Sequence, residues 1–145
     1  MLRKNIGLGL AALLASSAMA FAQGPDNMGV AISLYEKGLY SQAAELFAKY
    51  PGADAQGYAV LCQTALKADG YEAAIAKYEE AFPASGLLTQ IYYKHGLNLF
   101  DDGQYGRALP MLEGLDANSL DPNQQAERAF KLAYSRFSTG DGEGA

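Results

Sequence analysis

The chain contains one cysteine, Cys62, and one histidine, His95. A single thiol closes no internal disulfide and cannot build a cysteine-based zinc site. Such a residue is expected as a small buried apolar side chain. One imidazole without a second histidine or cysteine nearby leaves a transition metal only carboxylates, and no ligand spacing suggests a site. No metal or other cofactor is therefore expected. Positive charge is also scarce, with 11 Lys and Arg against 16 Asp and Glu. The basic residues are scattered, which argues against nucleic acid and anionic membrane surfaces as partners. Catalytic constellations are missing as well. Asp101 and Asp102 are adjacent in sequence, as are Glu79 and Glu80, so each pair diverges on a helix. No Gly-rich phosphate loop and no serine–histidine triad can be read. The expectation is a protein that is not an enzyme.

What is present begins at the N-terminus. "MLRKN" is basic, "IGLGLAALLASSAMA" is apolar, and "AMA" and "AFA" are small-x-small cleavage sites. That order is the signature of a secretory signal peptide, expected over residues 1–22 with cleavage after Ala22 or Ala20. The apolar core is short for a membrane span of roughly 20 residues. No cysteine follows it for lipid attachment, and no second apolar run of spanning length appears, so no direct membrane insertion is expected. The signal says only that the chain is exported; the periplasm of a Gram-negative bacterium is the preferred compartment. All 16 acidic residues lie beyond Ala22, and losing Arg3 and Lys4 leaves 9 basic side chains, a balance of −7. Roughly 120 remaining residues suffice for one small domain. With 50% of the chain apolar, composition does not suggest disorder.

One short phrase is written three times. Tyr40, Ala43, Ala44 and Phe47 match Tyr71, Ala74, Ile75 and Tyr78, and then Tyr105, Ala108, Leu109 and Leu112. Offsets of 0, +3, +4 and +7 place four side chains on one stripe of an α-helix. The alanine at +3 suggests close approach of another helix. Gly38, Gly70 and Gly103 stand just ahead of the three tyrosines, suited to the left-handed residue that ends a preceding helix. Helical patterns precede each glycine: Met28 to Lys37, Ala55 to Ala68, and Gly86 to Asp102. A fourth begins at Asp121, with Pro122 in its first turn and Gln124 at the capping-box position, and ends at Gly140. Each cycle is thus a helix, a tight turn and a second helix.

The tyrosine spacings are 31 and 34 residues, and Gly103 to Gly140 spans 37. Periods of this size built from helix pairs are those of solenoids, and 34 is the tetratricopeptide value. The sequence resembles the tetratricopeptide repeat family over residues 26–140. The third unit carries Tyr92, Gly96, Leu99, Gly103, Tyr105 and Ala108 in the family's order. The second carries Tyr58, Leu61, Cys62, Ala65, Tyr71, Ala74 and Tyr78. The first has a short leading helix, and the proline that closes the family's second helix appears, shifted, as Pro51 and Pro83. The expected fold is all-α, an α-α superhelix of about three and a half helix pairs, with residues 141–145 a flexible tail or truncation point. Pro110 falls inside a helix, where it removes one hydrogen bond to Gly106 and predicts a kink. The last helix is too apolar for an ordinary solenoid cap, which leads us to expect the front part of a longer protein.

The resemblance implies a concave groove lined by the first helix of each pair. On that registration the partner-binding residues are Tyr35, Gln63, Lys67, Tyr93, Leu97, Phe100, Asp101 and Tyr134, with Phe130 and Phe137 also on the last helix. Few charges and many aromatics suit an extended peptide or apolar helix. The expected function is an exported scaffold that binds a protein or peptide. Envelope members of the family serve in outer-membrane protein assembly, secretion and envelope maintenance. A second reading is a supporting or regulatory segment of a larger envelope protein. A third is self-association through the C-terminal helix.

Overall fold

The computed structural model describes residues 28–140. The expected signal peptide and the five-residue tail lie outside the described residues. Within them the chain is all helical: α1 (Met28–Glu36), α2 (Tyr40–Phe47), α3 (Ala53–Ala65), α4 (Tyr71–Ala81), α5 (Leu88–Asp101), α6 (Tyr105–Glu113) and α7 (Pro122–Ser138). A 3₁₀ turn over Ala117–Ser119 leads into α7. No strand occurs among the described residues.

The stripe on each second helix explains the pairing. Ala43 and Phe47 of α2, Ile75 and Tyr78 of α4, and Ala108 and Leu112 of α6 are all buried. Full burial of one such large side chain is worth roughly 1.5–3 kcal/mol. α2 packs on α1 and α3, α4 on α3, and α6 on both α5 and α7, while α3 and α5 lie side by side. The core is therefore a string of three clusters along the stack. Phe47 and Cys62 anchor the first, Leu61, Tyr78 and Ile91 the second, and Leu99, Leu112 and Leu132 the third.

Five side-chain pairs between corresponding elements span 34 or 35 residues. Asn98 reaches Thr64, Gln90 meets Gln124 and Tyr93 meets Glu127, each 34 residues apart. Lys67–Asp102 and Glu72–Arg107 are 35 apart. Lys131–Asp101, also between α5 and α7, spans 30 residues.

Turn chemistry agrees at two of the three places. Gly38 and Gly103 adopt φ of +77° and +73°. The following residues close the helix ends, Leu39 N–H donating to Leu34 O and Gln104 N–H to Leu99 O. The middle turn corrects the expectation. There the left-handed residue ending the helix is Lys67, with φ +48°, and Ala68 N–H donates back to Gln63 O. Gly70 is also left-handed, but it stands at the entrance to α4. The capping box of α7 is complete: Asp121 accepts from Gln124 N–H, and the Gln124 side chain accepts from Asp121 N–H. α6 runs through Pro110 and ends three residues later.

Candidate functional site

Two aromatic clusters, one at each end of the stack, each carry a lysine over their rings. At the first, Tyr35 on α1 meets Tyr40 and Tyr58 edge-on, with ring centres 5.6 and 5.5 Å apart. Tyr58 stacks on Phe47 at 4.9 Å. Lys94, from α5, brings its Nζ to 5.5 Å from the centres of both Tyr35 and Tyr40. No carboxylate among the described residues lies within ion-pair distance of it. Desolvation holds the Lys94 pKa below the usual ammonium value, and burial holds the Tyr35 hydroxyl above the usual phenol value.

At the second cluster Phe100, Tyr105 and Tyr134 form a triangle with ring centres 5.2 to 5.4 Å apart. Lys131 lies 4.7 Å from the Phe100 ring centre. Its charge is shared by Asp101 at 3.2 Å and Glu127 at 3.3 Å. Phe130 extends the cluster to 6.3 Å from Tyr134.

The sequence-derived site residues separate on this frame. Phe100, Asp101 and Tyr134 come together around Lys131. Leu97 is half-buried against the same core. Tyr93 is a core residue, 4% exposed, whose hydroxyl donates to Glu127 at 2.7 Å. That leaves it little surface for a partner. Lys67 is exposed, and its ammonium pairs with Asp102 at 2.6 Å. Tyr35 belongs to the first cluster. Gln63 lines a separate hollow of about 250 Å³ with Gln56, Ala59, Ala74 and Lys77.

Sequence reasoning missed Lys94, Lys131 and Glu127. Their types are ordinary on a helix surface, and only a 34-residue shift, applied to Tyr93, points to Glu127. A second hollow of about 390 Å³, lined by Glu79, Tyr92, Arg107, Pro110 and Met111, was also not foreseen. His95 is buried, and neither ring nitrogen has a hydrogen-bond partner; its Nε2 stays 3.6 Å from Glu72. Among the described residues no group of three or more His, Cys, Asp or Glu could hold a metal ion, and no helix is long and apolar enough to cross a membrane.

No protein-family model matches the chain, and neither a curated protein nor a solved structure matches it.

Proposed function

We propose that this chain is an exported interaction scaffold of the tetratricopeptide kind. Its partner would be an extended peptide or an amphipathic helix of another protein, held along the surface to which α1, α3, α5 and α7 contribute. The observation that carries this reading is the Phe100–Tyr105–Tyr134 triangle. It sets rings from three helices side by side and leaves Tyr134 44% exposed. Rigid aromatics offer large contact area at low entropic cost. The helix pairs and their bonds at 34 and 35 residues support the superhelical reading. The sequence-level signal peptide supports export, with the Gram-negative periplasm preferred.

The reading is one of binding rather than catalysis, because the grouped side chains supply contact surface and charge pairs. Its test is capture of envelope proteins on immobilised chain, comparing wild type with Leu97→Ala/Tyr134→Ala. An exposed Lys49→Ala variant, just beyond the end of α2, serves as control. The double variant is expected to lose at least about tenfold in retention of a specific partner, the equivalent of 1.4 kcal/mol. Equal retention by all three proteins would refute the aromatic surface as the binding face.

A further inference from the structure

The register of 34 residues between α5 and α7 is fixed by Gln90–Gln124 and Tyr93–Glu127. Carried along both helices, it equates Tyr92, Gly96 and Leu99 with Ala126, Phe130 and Ala133. In α5 this face holds the following helix. Gly96 lies so close to Leu112 of α6 that an added Cβ would come within 2.6 Å of its side chain. In α7 no helix among the described residues packs on the equivalent face. Phe130 is 64% exposed and Phe137 74% exposed, and Ala126, Ala129 and Ala133 beside them are exposed as well. A helix seated as α6 is would meet the ring of Phe130 where α5 offers a glycine.

We propose that this face binds the same face of a second copy, with the two α7 helices antiparallel. Ala126 and Ala133 are seven residues apart, and so are Phe130 and Phe137. A two-fold axis between positions 131 and 132 then sets Phe137 over the partner's Ala126 and Phe130 over the partner's Ala133. Each large ring meets a small residue, as knobs in a helix pair require, and one patch serves both chains, as a two-fold interface demands. The stripe formed by Ala126, Phe130, Ala133 and Phe137 has no charged member. Although the chain carries a net −5, this contact sets no like charges against each other across the axis. The face adjoins the second aromatic cluster, since the Phe130 ring lies 6.3 Å from that of Tyr134, but its test is the oligomeric state of the purified protein and is read without any other partner.

One helix on one helix buries less than about 1,200 Å², the size class of weak, transient contacts. Sedimentation equilibrium of the purified protein is expected to show monomer near 1 µM and mostly dimer near 1 mM. Phe130→Glu/Phe137→Glu is expected to stay monomeric throughout. Both side chains lie outside the core, and an unchanged helical circular dichroism spectrum verifies the fold. For the register, Ala126→Cys and Phe137→Cys proteins, each also Cys62→Ala, are mixed and oxidised. The mixed disulfide is expected to outweigh both self-disulfides. Monomer at all concentrations overturns the proposal, as does association that persists in the double glutamate variant, whether through the N-terminal segment or another face. Predominant self-disulfides overturn the antiparallel register.

Discussion

The side-chain amide of Asn98 donates to the main-chain carbonyl of Thr64 across 2.8 Å, with both residues buried. The bond joins the end of α3 to the last turn of α5. Thr64 O also accepts from Lys67 N–H at 3.1 Å, so it keeps a partner if Asn98 is lost. Asn98→Leu should therefore cost the net value of one buried hydrogen bond plus some misfit, about 1–2 kcal/mol. Urea unfolding measures it. A change below about 0.5 kcal/mol would show that apolar packing, and not this bond, sets the junction.

Gly96 and Gly86 offer a sharper pair. A Cβ at Gly96 would meet Leu112 Cδ2 at 2.6 Å and Cγ at 2.9 Å, whereas none lies within 4 Å at Gly86. Leu112 is fully buried and cannot withdraw without disturbing its neighbours. Gly96→Ala is expected to destabilise by about 1–3 kcal/mol through overpacking. Gly86→Ala should be nearly neutral. Thermal midpoints of both variants decide the matter, and equal midpoints would contradict the close approach of α5 and α6.

Helix pairing was legible in the sequence because it rests on local chemistry. The Tyr–Ala–Phe stripe of α2 and the Asp121–Gln124 box depend on spacings of three and four residues, which any helix converts into one face. The candidate site was less legible. Tyr93 is one turn from Leu97, and only the arrival of Glu127, 34 residues away, shows that its hydroxyl is tied inward. Lys94 was missed because its surroundings, Tyr35 and Tyr40, come from helices more than 50 residues earlier in the chain.

The middle turn tests how far a local rule extends. Lys67 holds φ +48° without being glycine, a conformation that costs an L-residue roughly 1 kcal/mol. Its bond to Asp102 is exposed and screened by solvent, so it offsets little of that cost. Glycine relieves the strain but loosens the unfolded chain, so Lys67→Gly should change stability by less than about 0.5 kcal/mol, while Gly103→Ala should cost about 1 kcal/mol. Chemical denaturation of the two variants side by side makes the comparison. A large loss in Lys67→Gly alone would mean that the ion pair outweighs the backbone term.

His95 supplies the pH dependence. Burial, chiefly, holds its pKa below the usual imidazole value, with the Glu72 carboxylate opposing and Arg107 reinforcing the shift. The unfolded chain then takes up the proton at higher pH than the folded one. Stability is full above the unfolded value near 6.5 and falls as pH drops from there toward the lower folded value. Glu72, lowered mainly by its bond to Arg107, loses its own contribution only at more acidic pH. Between pH 7 and 5 the thermal midpoint should fall in wild type and fall less in His95→Leu, measured by calorimetry. Parallel curves would show that His95 remains solvated.

Cys62 reports on the stack from inside. Its thiol is fully buried beside Ala31, Ala43 and Phe47, and burial pushes its pKa up to about 11. Because the thiolate is the reactive form, two independent effects protect it: little thiolate at neutral pH and no path for a reagent. Labelling by an aromatic disulfide at pH 8 should be negligible in the native protein and rapid in denaturant. In the native state the rate should follow opening of the α1–α3 region, so Phe47→Ala, which removes the ring stacked on Tyr58, should accelerate it at least about tenfold, since deleting such a core ring costs about 3–5 kcal/mol. Equal labelling of wild type and variant would mean that the reagent reaches Cys62 by a local route that leaves this cluster intact.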